Sequence, residues 1–192
     1  MDEQSEHGGD VFDERRAKLA AWRAAGDAYP TQYQPRDEIG PLHDAYAGLE
    51  SGQDSGDVRR IAGRVMARRV HGKVSFVVLK DASGELQLFA QLDALGDERY
   101  AALEHVDLGD HVGAEGTVMR TRRGELSLRV ASWQLLSKSL RPLPEKFHGL
   151  TDVELRYRKR YLDTIVNDES RPSRSRRRYC SRSTAVPWRA RS

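Results

Sequence analysis

Few side chains in this sequence have the types and spacing that covalent or metal chemistry requires. Cys180 is the only cysteine, which excludes an internal disulfide framework and any cysteine-based metal site. We assign it no catalytic role, because no base is evident near it in the sequence. The histidines do not lie at metal-ligand spacing within a Cys/His cluster, so a zinc site is not expected: they are His7, His43, His71, His105, His111 and His148.

No catalytic motif of a common hydrolase or nucleotide-binding type is present. The sequence contains no Walker loop, no G-x-S-x-G and no H-E-x-x-H. The chemistry that remains is non-covalent, and it rests on arginines and on single polar or aromatic residues. We therefore predict no catalytic residue and no metal site in this chain.

Arginines follow one face of a predicted strand that begins at Val58. Arg64 and Arg68 alternate there with small and apolar residues, and Arg69 follows. A guanidinium suits phosphate or bidentate contacts. The alternative is a solvated strand edge whose charges deter aggregation.

Three further residues lie on or beside predicted strands, where their types leave the role open. Phe76 lies in an almost wholly apolar strand and has a core position as its alternative. Gln87 and Glu125 have solvated strand positions as theirs. The residue pattern alone does not decide between binding and these plainer roles.

The elements that position these residues form a pattern of five strands and one helix within about 80 residues. Val58 opens the first strand, a helix at 97–106 separates the third and fourth, and the other strands are predicted at 74–80, 85–91, 111–120 and 125–136. This order matches the five-stranded oligonucleotide/oligosaccharide-binding (OB) barrel. We predict a mainly β fold with flanking helices, and a small sandwich or meander is the alternative.

The segment before the barrel is predicted to contain one helix. Residues 1–10 are polar and acidic, which predicts a disordered lead-in. Asp13 is the predicted N-cap of a helix with Leu19 and Trp22 on one face, and Gly26 can end it. Three further segments precede the barrel, predicted as irregular chain, a short amphipathic turn and a flexible loop: residues 27–41, 42–49 and 50–57.

A linker and another helix follow the barrel. Residues 138–150 contain Pro142 and Pro144, which predicts an interdomain linker. Thr151–Val166 is predicted to be one helix, with Thr151 and Glu154 as a capping box. The predicted division is therefore 1–56, 57–137, 138–150, 151–170 and a tail at 171–192.

Charge is distributed unevenly along the 192 residues, whose net charge is +3. Residues 171–192 contain eight arginines and no acidic residue, whereas residues 1–56 contain twelve acidic and five basic residues. This excludes a uniformly basic nucleic-acid binder but allows a local basic face. No apolar run approaches 18 residues and no signal-peptide core is present, so we expect a cytoplasmic protein without a membrane partner.

Several motifs together resemble one known family. LRPLPEKFHGL at 140–150 is followed by RYRKRYLD at 156–163, and GR, RR, GK, SFV, QL, LGD and GELS precede them in order from Gly63. From about Phe12 to Ser170 the chain resembles the N-terminal part of bacterial lysyl-tRNA synthetases, which are class II enzymes. The strand motifs are shared with aspartyl and asparaginyl enzymes, so LRPLPEKFHGL and RYRKRYLD make the resemblance specific.

The resemblance implies that the barrel binds the anticodon loop of a tRNA. It implies that Phe76 stacks on an anticodon base, Gln87 binds the central uridine and Glu125 binds a neighbouring uridine. It also implies that Arg69, with Arg68 beside it, holds the anticodon backbone or base edges. Unpaired bases are recognised by such stacking and edge contacts.

The resemblance also implies an ATP- and Mg²⁺-dependent parent enzyme that ligates lysine to tRNA and forms a homodimer. The catalytic motifs of that enzyme are not in this sequence, so we expect no cofactor site and no aminoacylation by this chain alone. Residues 171–192 match nothing in the family, and a frameshifted or truncated gene is favoured over a natural basic extension. The alternative function is a stand-alone RNA-binding module with a basic tail.

Overall fold

The computed structural model describes residues 3–26, 29–33, 36–144, 152–167 and 170, without the side chains of 3–9. These residues form two compact units, Met1–Pro142 and Leu143–Ser192, which are described separately. The predictions for residues 145–150, Thr151, Cys180 and the tail at 171–192 fall outside the described residues.

The first unit contains a closed barrel of five strands. They are β1 (Asp54–His71), β2 (Val74–Lys80), β3 (Glu85–Gln91), β4 (His111–Arg120) and β5 (Leu126–Ser137). Their order around the barrel is β1-β2-β3-β5-β4, and β4 closes the ring by pairing with β1. All neighbours are antiparallel except β3 and β5, which pair in parallel. This confirms the barrel and excludes the sandwich or meander.

Alternating side chains fill the barrel, as the period of two predicts. Along β3, Leu86, Leu88 and Ala90 are buried, whereas Gln87 and Phe89 are half-buried on the outer face. The interior is packed with aliphatic side chains from every strand: Ile61, Val65, Val77, Leu79, Leu86, Leu88, Val112, Val118, Leu128 and Val130. Burial of each such side chain favours folding by about 1.5–3 kcal/mol, so this interior holds the strands in register.

Four helices accompany the barrel in the first unit: α1 (Glu3–Ala24), α2 (Ile39–Ala45), α3 (Leu92–Leu95) and α4 (Asp97–Glu104). Tyr100 of α4 connects its helix to the barrel, because its hydroxyl accepts from Ser75 Oγ at 2.9 Å and donates to the Gly72 carbonyl at 3.1 Å. The predicted helix at 97–106 is thus present and ends two residues earlier.

Helix α1 begins earlier than predicted. It runs continuously from Glu3, so residues 3–10 are helical and Asp13 lies inside the helix instead of capping it. Val11 and Phe12 are half-buried and extend the Leu19 and Trp22 stripe by further turns. The face that packs therefore starts before Asp13, which is why the cap is not there.

Helix α1 is tied to the chain that leaves the barrel. Arg15 Nη1 donates to the carbonyls of Leu108, Ser139 and Arg141 at 3.2, 3.0 and 3.3 Å. Each of these backbone oxygens thereby gains a charged donor, and charge-assisted hydrogen bonds are stronger than neutral ones. The N-terminal helix and the end of the barrel are therefore parts of one packed unit.

A buried ion pair lies next to this contact. The Lys138 side chain is fully buried, and its Nζ lies 2.6 Å from Asp110 Oδ2 and 2.5 Å from Asp107 Oδ2. Lys18 of α1 reaches the other Asp107 oxygen at 3.1 Å. Burial raises the pKa of Asp107, but hydrogen bonds from Lys138 and Lys18 outweigh burial and hold it below its ordinary value.

Two segments before β1 also differ from the sequence prediction. Helix α2 starts at Ile39, inside the stretch predicted to be irregular, because Pro41 falls in its first turn, where no backbone donor is needed. Strand β1 starts at Asp54, inside the predicted flexible loop, where Asp54 pairs with Met119. Pairing with β4 thus organises residues that lack a hydrophobic anchor.

Among its described residues, 143–144, 152–167 and 170, the second unit contains two helices where one was predicted. Helix α5 (Val153–Arg158) is followed by Lys159, which lies between the two helices, and α6 (Arg160–Val166) starts directly after it. Asp152 caps α5, since its Oδ1 accepts from the backbone amides of Glu154 and Leu155 at 2.9 and 3.3 Å. The buried Asp163 carboxylate forms ion pairs with an arginine on each side of this break, Arg156 of α5 and Arg160 of α6, at N–O distances of 2.9 and 2.5 Å.

Candidate functional site

A row of four outer side chains crosses the barrel surface. The register pairs Arg69 of β1 with Phe76 of β2, Phe76 with Phe89 of β3, and Phe89 with Arg129 of β5. With strands about 4.8 Å apart, this row spans about 15 Å. Two aromatic rings with an arginine at each end form a surface for planar anionic ligands such as nucleotides.

Phe76 belongs to this outer surface and not to the core. Its neighbours Ser75 and Val77 are buried, whereas Phe76 is half-buried with one side against Phe89 at a ring-centroid distance of 5.5 Å. The ring of His71 lies in an edge arrangement with the Phe76 ring, at a ring-centroid distance of 6.2 Å. The ring is therefore held in place by two aromatic neighbours and remains partly accessible for stacking.

A β-bulge in β1 separates the roles of the two adjacent arginines. The register with β2 shifts between Val65 and Ala67, which adds one residue and inverts the alternation after it. Arg69 thus pairs with Phe76 on the outer face, whereas Arg68 pairs with the buried Val77. Strict alternation along the sequence did not predict this inversion.

Arg68 contacts the end of helix α4. Its Nη1 donates to the Leu103 carbonyl at 3.2 Å and to the Glu104 carbonyl. These are carbonyls of the last helical turn, where a cation is favourable. Arg64 is similarly engaged, because it donates to Gly109 at 2.8 Å and burial lowers its pKa. The structure thus brings Arg69, but not Arg68, next to Phe76.

Gln87 and Glu125 are joined through a buried serine. Gln87 Nε2 donates to Ser127 Oγ at 3.0 Å, and Ser127 Oγ donates to the Glu125 carbonyl at 3.3 Å. Ser127 is completely buried, Gln87 is half-buried and Glu125 is exposed at the end of the β4–β5 turn. The turn itself is closed by Thr121, whose Oγ1 accepts from the Glu125 amide at 3.1 Å.

Gln87 lies next to the aromatic pair. Gln87 is two residues from Phe89 on the same face of β3, so the amide and the rings share one surface. Arg122 and Arg123 are exposed in the turn that precedes Glu125. The outer face of β2, β3 and β5 thus combines stacking groups, an amide and an arginine, and the turn before β5 adds a carboxylate and two further cations.

Sequence reasoning missed three residues of this surface. Phe89 and Arg129 lie on it and Ser127 lies buried beneath it, and the sequence pattern singled out none of the three. Arg129 joins the row through the parallel β3–β5 pair and also bonds Asp54 at 2.8 Å. That pairing closes the barrel between strands far apart in sequence, so local pattern contains no signal for it.

A cavity lies on a different part of the barrel. It has a volume of about 740 Å³ and lies among α1, α4 and the outer faces of β1, β4 and β5. Arg60 and Glu115 form an ion pair within it, and Tyr33 packs against Gly113 there. Burial raises the pKa of Tyr33 to about 12. None of the sequence-predicted site residues lines it.

Comparison with known proteins agrees with this geometry. Residues 60–136 match the family model described as an OB-fold nucleic acid binding domain. The barrel is an OB-fold. The lysine–tRNA ligase of Aromatoleum aromaticum is 50% identical over 163 residues, which are 84% of this chain and 32% of the relative.

Other relatives give the same result. The lysine–tRNA ligase of Xylella fastidiosa is 50% identical over 82% of this chain and 32% of its own length. The lysine–tRNA ligase of Bordetella parapertussis is 47% identical over 90% of this chain and 34% of its own length. The chain matches the N-terminal region of lysine–tRNA ligases, which confirms the resemblance to lysyl-tRNA synthetases, and it spans about a third of those proteins.

The described residues contain neither a cluster of metal ligands nor a membrane-spanning helix. No group of three or more His, Cys, Asp or Glu side chains in that part of the chain is arranged to hold a metal ion. Nor is any helix among the described residues long and apolar enough to cross a membrane.

Proposed function

We propose that this OB-fold binds the anticodon loop of a lysine tRNA. The observation that supports this best is the shared outer face of Phe76, Phe89, Arg69 and Gln87. Phe76 stacks on an anticodon base, Gln87 binds the central uridine and Glu125 accepts from the N–H of a neighbouring uridine. Glutamate repels phosphate, so a base contact is the role that suits its exposed carboxylate.

Arg69 holds the anticodon backbone beside the stacked base. The resemblance gives Arg68 the same task. Because Arg68 donates to two backbone carbonyls of α4, we assign it the role of supporting the strand that carries Arg69. A guanidinium already bound to backbone oxygens has fewer donors left for RNA. The two adjacent arginines thus serve binding and support respectively.

The wider activity follows from the relatives' printed name, lysine–tRNA ligase. We propose that the chain supplies tRNA binding to an ATP- and Mg²⁺-dependent, cytoplasmic ligation of lysine, and that it does not aminoacylate tRNA by itself. The proposed binding domain is 57–137, followed by a linker at 138–150 and the start of the catalytic region at 151–170. Lysyl-tRNA formation by the pure chain would contradict this.

The direct test is binding of the full chain to a fluorescent anticodon stem-loop with a UUU anticodon, followed by anisotropy. Loss of one stacked base costs about 1–3 kcal/mol, so Phe76→Ala should weaken binding about 5- to 150-fold. Leu108→Ala, an exposed apolar position between α4 and β4 and outside this face, is the control. Equal affinities for the UUU loop and an unrelated loop contradict anticodon binding.

A second candidate function is sequence-independent RNA binding through the tail. The eight arginines at 171–192 favour it. Binding by the tail would fall steeply with salt, ignore the anticodon and survive Phe76→Ala. Binding by the barrel would discriminate between loops and be lost in that variant.

A further inference from the structure

One buried polar residue beneath the proposed binding surface has a strictly limited set of hydrogen bonds. Ser127 has no exposed surface, and its strand pairs it directly with Gln87 across the parallel closure of the barrel. A hydroxyl has one proton to donate and lone pairs to accept with. Which group receives that proton determines what Ser127 can accept.

The Glu125 backbone carbonyl receives it. A carbonyl oxygen can only accept, so the Ser127 hydroxyl must be the donor across their 3.3 Å contact. The hydroxyl proton is then used, and Ser127 can only accept from Gln87. The group that faces Ser127 at 3.0 Å must therefore be the Gln87 amide nitrogen, as the structure has it.

This fixes the other half of the amide. With Nε2 directed at Ser127, the Gln87 carbonyl oxygen, on the other side of the amide, is directed away from Ser127. The terminal torsion of glutamine is otherwise broad and roughly two-fold. Without Ser127 the amide could present either its carbonyl or its NH₂ group to a ligand.

We propose that Ser127 is a positioning residue that holds the Gln87 carbonyl oxygen outward, so that the surface selects a base with an N–H donor at ring position N3. Uracil presents an N3–H there, whereas cytosine presents an N3 acceptor, which would face another acceptor. An unpaired acceptor at a desolvated contact is costly. This inference rests on the proposed function and names the residue behind its uridine preference.

The test compares stem-loops with UUU and UCU anticodons on the full chain and on Ser127→Ala. The wild-type chain should prefer UUU. Ser127→Ala should reduce that preference about three- to tenfold, the equivalent of one neutral hydrogen bond. In a Gln87→Ala background, Ser127→Ala should change the ratio of the UUU and UCU affinities by less than about twofold. Ser127 acts on this ratio only through Gln87, and the double-mutant cycle measures that coupling.

Two measurements guard against a simple folding defect. Thermal unfolding shows whether Ser127→Ala retains the fold, and Ser127→Cys, whose thiol is a weak donor and acceptor, should give a partial loss of preference. Without RNA, the Gln87 side-chain amide resonances in a ¹⁵N spectrum should shift in both variants. Unshifted resonances in both variants overturn the inference.

The outcomes separate this inference from the proposed function. A wild-type chain that binds both loops equally overturns both. A wild-type preference for UUU that persists in Ser127→Ala and Ser127→Cys overturns only the role of Ser127. A loss of affinity for both loops by the same factor indicates a merely structural role and also overturns it.

Discussion

The ring of Phe76 lies 5.5 Å from the ring of Phe89, tilted by 47°, on the outer face of two paired strands. Such a tilted aromatic pair contributes about 0.5–1.5 kcal/mol beyond its buried area. Phe89 therefore limits the positions that the Phe76 ring can occupy. The stacking surface is a property of the pair and not of Phe76 alone.

Phe89→Ala should weaken anticodon-loop binding about three- to tenfold, which corresponds to the loss of that aromatic pair. The slope of affinity against salt should not change, because no charge is removed. Anisotropy titrations at several salt concentrations measure both quantities. Leu108→Ala again serves as control, and an unchanged affinity in Phe89→Ala would show that Phe76 is held by other contacts.

Arg69→Ala and Arg68→Ala should have different effects although the residues are adjacent. Arg69→Ala should reduce the salt slope of RNA binding by about 1, as expected for one lost phosphate contact. Arg68→Ala should lower the free energy of unfolding by about 1 kcal/mol, because two α4 carbonyls lose a donor. Urea unfolding and salt titrations of both variants test this, and identical profiles contradict it.

The Asp107 cluster should make the fold acid-sensitive. Burial raises and the two lysines lower the pKa of Asp107, with a net depression. A depressed pKa in the folded state gives stability that is present above the ordinary value and is lost as the pH falls through the folded-state value. Unfolding free energy should therefore decline below about pH 4.

Asp107→Asn tests this directly. It should cost about 1–3 kcal/mol near pH 7, because Lys138 loses one of its charged partners. It should also flatten the decline between about pH 5 and pH 3. Urea unfolding across that range is the measurement, with the exposed Asp44→Asn as control. A wild-type-like decline in Asp107→Asn would assign the acid sensitivity to other carboxylates.

Gly113→Ala should destabilise the chain through Tyr33. A methyl group there would lie 2.3 Å from Tyr33 Cζ, so the ring must move, at about 1–3 kcal/mol. In a Tyr33→Ala background the same substitution should be close to neutral. Unfolding of the four proteins of this double-mutant cycle measures the coupling, and an equal cost in both backgrounds would place the clash elsewhere.

Alternation made most of the barrel predictable. Strands β2, β3 and β4 begin and end where their patterns of side chains predicted, because one face of each is buried. The bulge between Val65 and Ala67 has no such signal, since one extra residue changes the phase without changing composition. That is why Arg68 and Arg69 could not be separated from sequence.

For the candidate site, the sequence predicted individual residues and not their contacts. Phe76, Gln87 and Glu125 came from the resemblance, while their residue types alone left core or solvated positions open. Phe89 and Arg129 depend on the β3–β5 closure, and Ser127 depends on a hydrogen bond beneath the surface. Contacts between strands distant in sequence are what a single sequence does not specify.

The contacts of Arg15 have a consequence for biosynthesis. Its partners Ser139 and Arg141 lie 124 and 126 residues further along the chain. At 5–20 residues per second, a ribosome needs roughly 6–25 s to reach them. For most of that interval α1 lacks these two partners and also the Trp133 ring that Trp22 contacts. Helix α1 therefore completes its contacts only after the last strand of the barrel has been synthesised.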